Sequence, residues 1–308
     1  MFRPLSFALV LGVLALVLAR PAQALNVFAC EPEWAALAQE LGGTDVTVFS
    51  ATTGHQDPHQ IQARPALIAR LRAADLVVCT GAELEVGWLP VLLRQSSNPK
   101  VQPGQPGFFE AASRVKLLEV PARLDRADGD VHASGNPHIQ TDPRNIRLVA
   151  AALGPRMGEV DPAHAAAYAQ RLKSFDENWG RLIEGWQAAA APLRGVTVVS
   201  YHKGWAYLFA WLGIKEGATI EPKPGVPPGG AYLTQLLDQI PKMDARMVIH
   251  AAYEDPKGAA FVSEKAKLPM VTLPFTVGGT EEAKDLTSLF DETVKRLLAG
   301  LGGSNGRS

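Results

Sequence analysis

Residues 162–191 read PAHAAAYAQRLKSFDENWGRLIEGWQAAAA, and their periodicity decides how the rest of the chain is read. Asp161 precedes the run as an N-cap, and Pro162 suits the first turn, where a missing N–H costs nothing. Apolar residues recur at Tyr168, Leu172, Phe175, Trp179, Leu182 (with Ile183) and Trp186. Steps of four and three place them on one stripe of an α-helix, which Pro192 stops. A helix of about thirty residues would run roughly 45 Å at about 1.5 Å per residue, longer than a compact domain requires. Strand-like and helix-like segments alternate on both sides of it. The spacing predicts a rigid spine joining two α/β lobes, with function arising where the lobes face each other.

Working outward towards the N-terminus, the pattern is strand 25–30, helix 33–41, strand 46–50, loop 51–64, helix 65–73, strand 76–79, helix 85–94 and strand 115–120. Gly42-Gly43 is a helix stop, and Pro65 is a proline at a first helical position. Residues 95–110 read as polar turns and 121–142 as a polar loop, after which Pro143 opens a helix to about Met157. Beyond the spine come strand 196–200, helix 204–212, a short strand 218–220, the Pro/Gly-rich loop Glu221–Gly230, helix 231–239, strand 247–250, helix 256–266, strand 270–273 and helix 281–300. Residues 302–308 read as a disordered tail. Alternation of this kind implies mainly parallel sheets with flanking helices, which bind ligands beyond the carboxyl ends of their strands. The expected division is an N-terminal lobe at 25–160, the spine at 161–192 and a C-terminal lobe at 193–308.

Residues 1–24 read as a secretory signal peptide, with Arg3 before the apolar run Leu5–Ala19 and Ala22-Gln23-Ala24 as the cleavage site, so that the product is exported. The run is too short to read as a membrane span. A lipid anchor at Cys30 is disfavoured, because Phe28 fits badly two positions before it and the apolar run ends well upstream. Cleavage near Ala24 leaves 28 basic and 31 acidic side chains, a net charge of −3 and no footprint for nucleic acid. Cys30 and Cys79 each end an apolar strand-like run. In a parallel sheet both ends lie on one edge, so a disulfide is open to them in an oxidising compartment; two separate buried thiols are the alternative.

Seven histidines are few enough to weigh singly. His59 follows Asp57-Pro58, His138 follows Asn136-Pro137, and His202 follows the strand 196–200. Each lies at or just after a predicted strand end or in a loop leading out of one, which is the binding edge. Proline stiffens the backbone that presents an imidazole, which lowers the entropy lost when a metal orders it. Asp57 or Gln60 is placed to orient the His59 ring by accepting its second N–H. His55, His132 and His164 read as exposed loop or surface residues, with a weak second metal contact the alternative for His132, and His250 as a core or cleft-wall residue. Trp88, Trp205 and Trp211 read as packing, with Trp205 also placed to wall a pocket beside His202.

In sequence order, Gln56-Asp57-Pro58-His59, Ala74-Asp75-Leu76-Val77, Gly81-Ala82-Glu83-Leu84-Glu85 with Trp88, Asn136-Pro137-His138 and Asp142-Pro143 precede the spine. Tyr201-His202-Lys203, Glu221-Pro222-Lys223-Pro224-Gly225, Asp255-Pro256-Lys257 and Val277-Gly278-Gly279 follow it. On this ordered set the chain resembles the zinc/manganese-specific solute-binding proteins of bacterial ABC transporters across the whole mature length. The resemblance implies a metal held between the lobes by two ligands from each: His59 and His138, then His202 and an acid near the start of the last helix. Asp285 best matches that acid, although Thr287 stands where the family usually carries an aromatic; Glu281, Glu282, Asp291 and a water are its competitors.

Three neutral imidazoles with one carboxylate make a borderline-soft site suited to Zn²⁺, whereas Mn²⁺ (or iron) is the alternative cargo and favours harder oxygen donors. In the family that trade occurs at the position of His202, and histidine there points to zinc. The implied partners are a membrane permease and its cytoplasmic ATPase, with this chain a monomeric periplasmic receptor and no enzyme. A zinc hydrolase is the competing class, because three ligands and an open position fit one. No HExxH or GxSxG and no general base beside the histidines supports it. A continuous spine is a poor hinge, so the cleft is expected to be largely preformed.

Overall fold

The computed structural model describes residues 23–123, 129 and 131–305. Most of the expected signal peptide, part of the 121–142 loop and residues 306–308 lie outside the described residues. The first half contains β1 (Leu25–Ala29), α1 (Pro32–Gly42), β2 (Val46–Ser50), α2 (Pro65–Arg72), β3 (Leu76–Cys79), α3 (Leu89–Ser96), β4 (Phe108–Glu110) and α4 (Pro143–Val160). Then come α5 (Ala165–Ala189), β5 (Thr197–Ser200), α6 (Ala206–Leu212), β6 (Lys215–Thr219), α7 (Gly230–Gln239), β7 (Ala245–Ala251), α8 (Pro256–Ala266), β8 (Met270–Leu273) and α9 (Leu286–Asn305). The strands form two four-stranded parallel sheets of one topology, β2-β1-β3-β4 and β6-β5-β7-β8. Among the described residues no helix is long and apolar enough to cross a membrane.

Period-two alternation sets what each sheet face buries. In β1 and β3, Val27, Ala29, Leu76 and Val78 face a central core, while Phe28 and Val77 face a second core under α2 and α3. Cys30 and Cys79 fall on that outer face at adjoining strand ends, with Cα atoms 4.8 Å apart, and form a disulfide. The second sheet repeats the device: Val198, Met247 and Ile249 point inward, and Val199 and Val248 point to a core under α7 and α8. The central core runs without a break from one sheet to the other, and α5 lies along it.

The spine is therefore built as its periodicity implies, as α5 preceded by one 3-10 turn at Pro162–His164. Tyr168, Phe175, Trp179, Ile183 and Trp186 are its buried stripe, and Leu172 and Leu182 pack at the margin. Gly154 of α4 lets the two helices approach, since an added Cβ would meet a Leu172 methyl at 2.8 Å. Each end of α5 is tied to a different lobe. Near its start, the Arg171 guanidinium donates to the Gly42 carbonyl (2.8 Å) and to Asp45 (2.7 Å). Near its end, the Trp186 indole N–H donates to Asp291 of α9 (2.6 Å). Asp161 does not cap the helix; its carboxylate accepts from the Tyr168 hydroxyl and meets the His164 ring, both at 2.7 Å.

Four boundaries differ from the sequence reading. The fourth strand is Phe108–Glu110, not 115–120, because β3 takes its edge partner from Phe108 and Phe109. The main chain at Leu118 instead accepts the Asn136 N–H and donates to the Tyr207 hydroxyl. Helix α3 starts at Leu89, not at residue 85, because Gly81, Ala82 and Glu83 turn with positive φ and the Glu85 carboxylate accepts the Thr80 and Gly81 N–H groups. Helix α9 starts at Leu286, not at residue 281, and runs to Asn305 into the expected tail. Strand β6 begins earlier than expected, at Lys215.

Candidate metal centre

His59, His138 and His202 come from three loops at the carboxyl ends of the strands, where parallel sheets bind ligands. Their ligand atoms lie within 4.8 Å of one another, and the ring centroids are 5.2–6.0 Å apart. Each loop has its own anchor. The His59 loop is pinned by the Trp88 indole N–H, which donates to the Pro58 carbonyl at 2.9 Å. Asp57 then accepts the His59 main-chain N–H at 3.0 Å and sits 2.7 Å from ring Nδ1 with the same oxygen. Glu221, in the Pro/Gly-rich loop, holds Nδ1 of His202 in the same way at 2.7 Å.

An ionised carboxylate only accepts, so both rings carry their proton on Nδ1 and turn the Nε2 lone pair outward. Burial lifts the Asp57 carboxyl, but the His59 ring and main-chain hydrogen bonds outweigh it and hold the group below its usual range. His138 is buried, and its Nδ1 has no hydrogen-bond partner among the described residues. Burial, reinforced by the neighbouring imidazoles, pushes its pKa well below the ordinary histidine value. It is a neutral, desolvated donor, the form a metal requires. The orphaned nitrogen and the converging lone pairs suit a cation of imidazole preference.

The two lobes are joined beside the site. Asn136 Oδ1 accepts the His138 N–H at 3.0 Å, while its amide donates to the carbonyl of Lys203, next to His202, at 2.8 Å. The Tyr207 hydroxyl donates to the Asn136 carbonyl at 2.6 Å. Farther back, the Thr276 hydroxyl donates to Glu33 across the lobes, and burial pushes that carboxyl up to about 7. Phe275 stacks edge-on against His138 with centroids 5.1 Å apart, and Trp205 backs Phe275 rather than walling the pocket itself. Glu119, Lys203 and Pro224 line the cleft above the rings.

The acids near the last helix lie elsewhere. Asp285 is exposed, and its carboxylate accepts the Ser288 N–H and hydroxyl, both at 2.7 Å, as the cap of α9. Among the described residues it is not in the group of ligand atoms that includes the three histidines. Glu281 is exposed, Glu282 pairs with Arg296 at 2.7 Å, and Asp291 accepts from Trp186. His250 is a core residue bonded to Thr272 at 2.7 Å; His55 is exposed. His132 is not a solvated loop residue: its Nε2 lies 3.3 Å from Nε2 of His59, and the rings stack. Burial first, then His59 and His202, lowers its pKa to about 4. Glu221 and Asn136 were visible in the sequence only as members of motifs. The need of an imidazole for an acceptor on its far nitrogen pointed in sequence only to Asp57 or Gln60 for His59; the same need at His202 was the signal that would have led to Glu221.

Comparison with known proteins bears on this geometry. A family profile described as "Zinc-uptake complex component A periplasmic" matches residues 27–300. The high-affinity zinc uptake system protein ZnuA of Brucella abortus is 27% identical over 164 residues, covering 53% of this chain and 48% of the relative. The chain thus spans about half the length of that relative. The protein of the same name from Paracoccus denitrificans is 24% identical over 301 residues, covering 87% of this chain and 88% of the relative. Among solved structures, a crystal structure of ZnuA superposes with a TM-score of 0.73 at 20% identity, covering 92% of this chain and 99% of the other. The SBP FpvC from Pseudomonas aeruginosa in complex with Mn²⁺ gives 0.77 at 18% identity, covering 92% and 100%.

Proposed function

From the premise that the chain belongs to the family described as zinc-uptake complex component A, periplasmic, we propose that it is a receptor that captures Zn²⁺ between its lobes. It would hand the ion to an ABC-type permease with a cytoplasmic ATPase for import. The observation that carries this reading is the convergence of His59, His138 and His202 to within 4.8 Å, two of them with Nδ1 locked by a carboxylate. Zinc is cargo here, and the chain has no catalytic role in this reading. Residues 1–24 direct export and are removed near Ala24; residues 25–160 and 193–308 are the two lobes, joined by 161–192. An all-imidazole triad favours Zn²⁺ over Mn²⁺, which prefers oxygen donors. The Brucella and Paracoccus relatives are named for zinc uptake, which supports the same choice.

The site is built to admit an ion without large movement. Arg171 and Trp186 fix α5 to both lobes, and Asn136 ties the His138 loop to the His202 loop. Release to a permease then needs only local loosening of loops, not opening about a hinge. Chelator-stripped mature protein is expected to take up one equivalent of zinc and to melt higher with it, by about 4 kcal/mol of added stability at a thousandfold excess over Kd. Calorimetric titration with a thermal melt checks this. An unchanged melting temperature in excess zinc sinks the receptor reading.

A further inference from the structure

We infer that His132 is a ligand of the bound ion and supplies its solvent-side donor, a deepening that rests on the receptor reading above. The primary observation is a distance. Two imidazole nitrogens bound to one tetrahedral zinc at about 2.0–2.1 Å stand about 3.3–3.4 Å apart. Nε2 of His59 and Nε2 of His132 are already 3.3 Å apart. The His132 ring is 6.5 Å from that of His138, against 5.2–6.0 Å among the three inner rings, and it stands outside the group their ligand atoms form, so binding requires the ring to move inward.

His132 is also held there from both lobes. The Glu83 carboxylate accepts the Ala133 N–H at 2.5 Å, and the Glu83 main chain takes a hydrogen bond from the His132 ring. Glu83 itself is turned to φ 70°, which aims it at this loop. From the other lobe, Pro224 closes on Gly129, where an added Cβ would lie 2.3 Å from its carbonyl oxygen. Pro224 belongs to the same loop as Glu221, the residue that orients His202. Gly129 and residues 131–133 therefore lie beside the triad, in contact with Glu83 on one side and with the Pro224 segment on the other.

Among the described residues no carboxylate joins the group of ligand atoms formed by the three histidines, although Glu119 lines the same cleft. Asp285 caps α9 through Ser288 and would have to release two hydrogen bonds to reach the ion. His132 releases none to a carboxylate. The alternative for the pair is an ordinary ring-to-ring hydrogen bond with no part in metal binding.

The test is a zinc titration of the full mature chain against a chromophoric chelator, for the parent, His132→Ala, His132→Gln and Asp285→Asn. Both His132 variants are expected to lose about tenfold or more in affinity, and Asp285→Asn to stay within about threefold. Metal-free melts of all four should coincide, because residue 132 is in a half-buried loop. His132→Ala within about threefold of the parent overturns the assignment. A loss seen only in Asp285→Asn overturns it too. A parent that takes up no zinc fails the receptor reading instead, and the two failures are thereby distinct.

Discussion

Replacing His138 with alanine is expected to weaken Zn²⁺ binding about 100- to 1,000-fold while leaving the metal-free fold intact. The size follows from dividing a zinc binding free energy of about 10–16 kcal/mol among four donors, or about 2.5–4 kcal/mol each. His138 should stand at the upper end, because at 1% exposed it is more deeply buried than His202 at 8% and its ring is desolvated before the ion arrives. His59 and His202 each keep a carboxylate partner, whereas Nδ1 of His138 has none among the described residues. Truncation removes that orphaned polar atom along with the ring, so the two effects on stability oppose each other. Competition titration and a metal-free melt check both halves. An affinity within about tenfold of the parent would remove His138 from the coordination set.

Replacing Trp179 with alanine is expected to cost about 3–5 kcal/mol of stability, the range for truncating a buried aromatic. At about 2–4 °C per kcal/mol for a chain of this size, the melting temperature should fall by about 10 °C. Trp179 is 2% exposed, stacks on Phe175 at 5.1 Å and meets Trp186 and Phe290 edge-on. Its indole N–H also donates to the carbonyl of Pro143 at 2.8 Å, five residues after His138. The spine thus reaches His138, a proposed metal ligand, through one hydrogen bond and one short turn. Zinc affinity should loosen by about threefold to tenfold although no ligand is touched. Trp179→Phe separates the contributions: it keeps most of the packing and loses the N–H, so it should spare stability more than affinity. Unchanged affinity in a folded Trp179→Ala protein would mean that the spine does not set the spacing of the ligand pairs.

How far the sequence was legible depended on the range of the interaction involved. The α5 stripe could be read because a helix of this length repeats its pattern over seven turns, and tertiary packing only chose among residues already apolar. Strand β4 could not: residues 115–120 are the more strand-like stretch, yet only Phe108–Glu110 finds an edge of β3 to pair with. The start of α9 was hidden by the same local chemistry that makes Asp285 conspicuous. An aspartate three residues before a serine is a cap, and here it accepts both groups of Ser288.

The site divides along the same line. His59 and His138 stand out because a proline stiffens each loop, and His202 because it directly follows a strand. The partners that finish the geometry arrive from far along the chain. Glu221 reaches His202 across 19 residues, Asn136 reaches Lys203 across 67, and His132 reaches His59 across 73. No local spacing encodes those contacts; they follow from two sheets presenting their carboxyl edges to one cleft, with loops that fold over it. His132 shows the cost of reading loops as solvent, since its polar surroundings in sequence gave no sign of the ring it stacks on.

The most direct test of the whole account is a crystal structure of the zinc-loaded chain with anomalous scattering collected on both sides of the zinc edge. A single strong zinc peak is expected about 2.0–2.1 Å from ring nitrogens of His59, His138 and His202, with His132 as the fourth donor. A peak held by other residues, or none at the triad in protein that carries one equivalent of zinc, would contradict it.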